Sequence, residues 1–138
     1  MVDVELDRDV CKLVHEFARR LDGQVRRIGE EVGLTPAQVV ALRELSEPIT
    51  ARELANRMSC EASNATFVID RLEDQGLVNR RPHPTDRRAK EIVLTEAGQT
   101  ARDTVLDRLN RTSPMVSLDP AQQKSLVELL QALVGQGR

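Results

Sequence analysis

Three groups of residues in this sequence are of types that do chemistry. The first is cationic. Between Arg80 and Lys90 the chain carries Arg80, Arg81, Arg87, Arg88 and Lys90 against one anion, Asp86. That is a local charge of +4 in a chain whose net charge is −2, so the remainder sums to −6. A globally acidic chain with one basic loop favours focused contact with phosphates over diffuse adhesion to polyanions. The plain alternative is a solvated hairpin that happens to be Arg-rich. The second group is Ser63, Asn64, Thr66 and Phe67, on the outward side of an amphipathic helix. Short hydrogen-bonding side chains beside one apolar group suit base edges, phosphates and thymine methyls. Ser and Asn also favour helix starts for their own sake, so each residue alone reads equally well as an ordinary helix-start residue. The third group is Cys11 and His15. Four residues apart on a helix, both can face one metal, or the imidazole can favour a thiolate. No third ligand is evident, so no metal site is expected; Cys11 stands as a redox candidate beside the reading of a half-buried structural thiol. Cys60 reads as a small apolar residue in a turn, beside a helix N-terminus that can lower a thiol pKa.

Other chemistry is missing from the pattern. There is no Gly-rich phosphate loop, no nucleophile elbow and no identifiable pair of carboxylates, and His15 and His83 are the only histidines. An enzyme is therefore not expected, and neither is a cofactor. With Phe17 and Phe67 as the only aromatics, the chain lacks the stacking platforms that single-stranded nucleic acid requires, which leaves duplex DNA as the polyanion. At 138 residues, 40% apolar and 30% charged, it reads as one globular domain. No apolar run approaches membrane-spanning length, and the acidic start (Asp3, Glu5, Asp7, Asp9) is unlike a basic leader, so a cytoplasmic location is expected.

The elements that must hold these residues are mostly helices. Val10, Leu13, Val14, Phe17, Leu21, Val25 and Ile28 form one stripe, predicting a helix from about 8 to about 32 that Gly33 stops. Thr35-Pro36-Ala37-Gln38 is a capping box opening a second helix to about Ser46, and Thr50-Ala51-Arg52-Glu53 opens a third through Met58. After Ser59-Cys60-Glu61, a fourth helix buries Ala65, Val68, Ile69 and Leu72 and stops at Gly76. The third and fourth have helix-turn-helix spacing. Two short apolar runs then flank Pro82-His83-Pro84-Thr85-Asp86, a hairpin whose prolines stiffen its tip. Thr95 caps a fifth helix (Ala97, Ala101, Val105, Leu109). Asp119-Pro120-Ala121-Gln122 caps a sixth, with Leu126, Leu129, Leu130 and Leu133 on one face. Gly98 inside the fifth helix costs about 1 kcal/mol relative to Ala, which suggests a close backbone approach. The expected fold is mainly α, an α+β winged helix of six helices with a small β-hairpin wing. Its first, fifth and sixth helices carry more apolar surface than one short domain can cover. A homodimer through the terminal helices follows.

The chain resembles the MarR family of bacterial transcription regulators. The resemblance runs from the capped second helix through Leu54-Ala55-Asn56-Arg57-Met58, Val68-Ile69-Asp70-Arg71-Leu72-Glu73 and Gly76-Leu77-Val78. It is sharpest from Asp86-Arg87-Arg88 to Leu94-Thr95-Glu96-Ala97-Gly98. It implies a single domain over 1–138, with a winged helix-turn-helix DNA-binding core at 36–95 and helical dimerisation regions at 1–33 and 96–138. It further implies a repressor that binds a pseudo-palindromic operator as a homodimer and is relieved by a small molecule or an oxidant. By position, the fourth helix enters the major groove and Arg88 the minor groove. Asp86 orients Arg88, and Arg80, Arg87 and Lys90 contact phosphates. The family's effector crevice would be lined by Phe17, Arg20, Val39, Arg43 and Val105. Some members sense peroxides through a cysteine near the start of the first helix, held as a thiolate by tyrosine hydroxyls; this chain has no Tyr. A winged helix used for protein–protein contact is the other-class alternative, and the arginines of the wing argue against it.

Overall fold

The computed structural model describes residues 1–135. The last three residues of the expected 96–138 helical region lie outside the described residues. In chain order the elements are α1 (Val4–Val32), α2 (Pro36–Glu44), β1 (Ile49–Thr50), α3 (Ala51–Met58), α4 (Ala62–Asp74), β2 (Val78–Pro82), β3 (Lys90–Leu94), α5 (Glu96–Thr112), a 3-10 turn (Pro114–Ser117) and α6 (Pro120–Gly135). The strands form one antiparallel sheet in the order β1-β3-β2.

The caps decide where each helix begins. Thr35 and Thr50 both complete reciprocal capping boxes, with Gln38 and Glu53 respectively. Asp119 and Gln122 do the same at α6, each side chain accepting the other's backbone N–H. α1 starts earlier than its apolar stripe suggests, because Asp3 Oδ1 accepts from the N–H groups of Glu5 and Leu6 at 2.8 and 3.3 Å. A cap can set a helix start ahead of any hydrophobic residue. Gly33 closes α1 in the left-handed region at φ 76°. α2 stops at Glu44, two residues short of the expected Ser46. Arg102 of α5 donates to the Leu42 and Arg43 carbonyls at 2.9 and 3.2 Å, satisfying orphan acceptors of that last turn.

The core lies between α2, α3, α4, α5, the sheet and the C-terminal third of α1. Val39, Leu42, Ile49, Leu54, Ile69, Leu72, Val78, Ile92 and Val105 are its fully buried side chains. Of the α1 stripe, only Val25 and Ile28 are buried; Val10, Leu13, Val14 and Leu21 are exposed, and Phe17 is half-buried. α6 buries none of its side chains in the protomer. On α5, Ala97 faces solvent and Gly98 takes the inward place. The reason is contact distance. A Cβ on Gly98 would stand 1.8 Å from the Leu77 carbonyl oxygen. Thr95 completes that junction, donating from its hydroxyl to the Gly76 carbonyl at 2.6 Å and from its N–H to the Leu77 carbonyl at 3.0 Å. The base of the hairpin is thereby joined to the end of α4 and the start of α5.

Candidate nucleic-acid interface

The turn between α3 and α4 is three residues long and built on one left-handed residue, Ser59 at φ 56°. Cys60 then donates its N–H to the Ala55 carbonyl at 3.0 Å, which fixes where α4 sets off. α4 turns Ala65, Val68, Ile69 and Leu72 into the core and leaves Ser63, Asn64, Thr66 and Phe67 exposed. No side chain caps its first turn, so its leading N–H groups stay available to an anion. Phe67 is 62% exposed, and the Arg71 guanidinium lies 5.3 Å from its ring centroid. That distance is within cation–π range, so the pair forms a flat, cationic step on the helix surface. Arg71 is not among the residues expected at the site, and the signal that points to it is its i,i+4 spacing from Phe67.

Two of the wing's cations are spent on internal contacts. Arg81 faces Glu91 across the β2–β3 ladder, and their side chains pair at 3.1 Å. The guanidinium of Arg80, expected at a phosphate, bridges Asp70 at 2.5 Å and Glu73 at 2.6 Å in the free chain, both on α4. It is a strut between the fourth helix and the wing. The two carboxylates lie one helical turn apart, a pairing that the wing's own sequence does not reveal. The remaining cations, Arg87, Arg88 and Lys90, are exposed, and none of their side chains forms an ion pair or hydrogen bond among the described residues.

Asp86 also acts differently from the expectation that it holds the Arg88 guanidinium. Its Oδ1 accepts the backbone N–H of Arg88 at 2.9 Å. It therefore shapes the turn from which Arg88 projects, as Asp side chains do in turns by bonding two residues on. Arg52 of α3, Asp86 and Lys90 share the rim of a groove beside the wing. Arg52 is a further exposed cation, on α3 and outside the basic stretch 80–90.

The residues expected at an effector crevice do not converge in the protomer. Val39 and Val105 are fully buried core residues and offer no surface to a ligand. Their inward stripe positions placed them equally well in the core, and packing decided. Arg43 is exposed and pairs with Glu44 at 2.6 Å. Arg20 lines an open groove of about 610 Å³ together with Arg19, Arg27 and Gln24. Cys11 is exposed, and the His15 Nδ1 lies 2.7 Å from the Cys11 carbonyl oxygen. The imidazole thus engages the backbone of Cys11. Among the described residues no group of three or more His, Cys, Asp or Glu is arranged to hold a metal ion. None of the described helices is long and apolar enough to cross a membrane.

A three-residue turn between two helices, followed by a hairpin with free cations at its tip, defines a winged helix-turn-helix. The sequence model of the MarR family matches residues 34–90. The regulator YsmB of Bacillus subtilis strain 168, described as an uncharacterized HTH-type transcriptional regulator, is 31% identical over 102 residues, covering 72% of this chain and 70% of YsmB. The HTH-type transcriptional repressor MdtR of the same organism is 29% identical over 104 residues, 74% of this chain and 67% of MdtR. A crystal structure of a MarR-family transcriptional regulator from Rhodococcus sp. RHA1 superimposes with a TM-score of 0.77 at 25% identity, covering 95% of this chain and 96% of that one. The chain belongs to the MarR family of DNA-binding transcriptional regulators. These relatives are regulators of transcription and not enzymes.

Proposed function

We propose that the protein is a sequence-specific repressor that binds a pseudo-palindromic DNA operator as a homodimer. The observation that carries this reading is the pairing of exposed Ser63, Asn64, Thr66 and Phe67 on α4 with the free cations Arg87, Arg88 and Lys90 at the wing tip. The α4 residues suit base edges in a major groove, and an arginine on a stiff tip suits the strong negative potential of a narrow A·T-rich minor groove. Residues 36–95 form the reading core in this account, and 1–33 with 96–138 the dimerisation region. The exposed Leu6, Val10, Leu13 and Val14 of α1 and Leu129, Leu133 and Val134 of α6 support a second copy as their cover. Repression is in keeping with the relative MdtR, itself described as a repressor.

A small anionic effector would meet three cations, Arg19, Arg20 and Arg27, against one carboxylate, Glu16, in the α1 groove, and its binding would relieve repression by changing how the two reading cores are spaced. Redox control through Cys11 is secondary in this reading, because the neighbouring imidazole bonds a carbonyl and not the thiol. Action on DNA places the protein in the cytoplasm. The test is selection from a random duplex pool, followed by titration of the enriched sequence across a salt series. An inverted repeat bound with a steep salt dependence is expected. Failure to enrich any sequence, or binding indifferent to salt, would refute the reading.

A further inference from the structure

An imidazole holds the wing tip together. His83 Nδ1 accepts the N–H of Thr85 at 3.2 Å and the N–H of Asp86 at 3.1 Å, and the Thr85 hydroxyl stands 3.4 Å from the same nitrogen. The backbone N–H of His83 donates to the Ala89 carbonyl, and the backbone N–H of Ala89 donates to the Asp86 carbonyl, each at 3.2 Å. Asp86 then takes the Arg88 N–H on its Oδ1 at 2.9 Å. The chain of support runs from His83 to Asp86 to Arg88. His83 is half-buried, while Pro84, Thr85, Asp86, Arg87 and Arg88 around it are exposed. An Nδ1 that accepts two N–H bonds carries no proton, so the neutral ring has its hydrogen on Nε2.

We propose that His83 is a positioning residue for DNA recognition: its unprotonated Nδ1 locks the tip that aims Arg88, and protonation releases it. The inference rests on the wing being the DNA-contacting element proposed above. A proton on Nδ1 would face two amide donors, and both hydrogen bonds would be lost. The same proton adds a positive charge at the tip, which strengthens attraction to the phosphates of any duplex. The two consequences differ in their dependence on sequence. Losing the aim of Arg88 weakens preference for the operator, whereas added charge raises affinity for operator and random DNA alike.

The charged groups of the tip and its strands are Arg80, Arg81, Asp86, Arg87, Arg88, Lys90 and Glu91, with Arg52 of α3 across the groove. Carboxylate, guanidinium and ammonium groups ordinarily keep their charge across neutrality, and imidazole does not. His15 on α1 is the chain's other imidazole, and it stays in every variant below as an internal control.

The experiment measures, on the full chain, the ratio of affinities for a selected operator and a random duplex from about pH 8 to about pH 5.5. In the wild type this ratio is expected to fall by about three- to tenfold, the size of one to two lost hydrogen bonds. His83→Asn should keep the ratio high and flat, since Asn Oδ1 stands where Nδ1 stands and does not titrate. His83→Ala should be low at every pH, and adding it to Arg88→Ala should cost nothing further. A flat wild-type ratio, or a His83→Asn profile that follows the wild type, would overturn the proposal. A DNA-free readout separates this failure from failure of the functional reading. In NMR titrations of the free protein, the Thr85 and Asp86 amide resonances should move together with the His83 ring signals. Amides that stay still while the ring titrates would overturn the tip lock and leave operator binding standing. A pool that yields no operator would remove the functional reading, and the amide titration would still decide the lock.

Discussion

At the scale of single residues, the wing sorts its cations by partner. Arg80 is engaged by Asp70 and Glu73, Arg81 by Glu91, and Arg87, Arg88 and Lys90 are exposed and unpaired among the described residues. Arg88→Ala is expected to weaken operator binding by about 1–3 kcal/mol per half-site and to relax preference in the flanking base pairs, as measured on a flank-randomised duplex set. Asp86 supports it through a backbone N–H, so Asp86→Asn, which keeps an acceptor oxygen, should bind nearly as wild type and Asp86→Ala should not. Equal losses in both variants would restore the charge-to-charge role expected from sequence. For Arg80, neutralising its partners is the informative control. Arg80→Ala should weaken binding without lowering the salt slope, and adding Asp70→Asn with Glu73→Gln should recover most of the loss. A slope reduced by about one unit per half-site in Arg80→Ala would mark a direct phosphate contact instead. Residue types and local charge make the basic tip legible in the sequence. Which cation is free depends on carboxylates ten and seven positions away, on another element, and only the packed structure brings them to Arg80.

At the scale of elements, legibility follows how local the deciding physics is. Thr35, Thr50, Thr95 and Asp119 each satisfy N–H groups within three residues, so the four helices they open begin where the sequence says. The start of α1 is also decided locally, at Asp3, several residues ahead of the hydrophobic stripe that begins at Val10. Gly98 shows the other case. Its cost as a helix residue is visible in the sequence, whereas its reason, the Leu77 carbonyl of the β2 approach, is a tertiary contact. Gly98→Ala gains about 1 kcal/mol of helix propensity but puts a methyl group into backbone that has no rotamer with which to yield. The expected outcome is a net destabilisation of about 2 kcal/mol or more in denaturant unfolding, with α5 displaced from the hairpin base. An unchanged or raised midpoint would mean that the junction is looser than the contact implies.

At the scale of the whole molecule, the two ends of the chain and its centre differ in how they use apolar residues. The centre buries its own. α1 before Gln24 and all of α6 bury almost none, although both are rich in Leu and Val. The stripes are legible in the sequence; that the protomer's own core leaves them uncovered is argued there only by their excess, and the packed structure shows it. Removing residues 119–138 is expected to abolish the homodimer while leaving the reading core folded, since α6 contributes no buried side chain to that core. Sedimentation should show a dimer for the full chain and a monomer or aggregate for the shortened one. Operator affinity should drop as the second half-site's contribution is lost. A stable full-length monomer at micromolar concentration would contradict this.

The central claim is that α4 reads a major groove while the wing tip, aimed through Asp86, occupies a minor groove beside it. Methylation protection reports both grooves at once, because guanine N7 lies in the major groove and adenine N3 in the minor groove. On the selected operator, the wild type is predicted to protect guanine N7 within each half-site and adenine N3 in the outer flanks. In Arg88→Ala the adenine N3 protection should vanish while the guanine N7 protection persists at saturating protein. Flank protection that survives in Arg88→Ala, or protection confined to one groove in the wild type, would contradict the account.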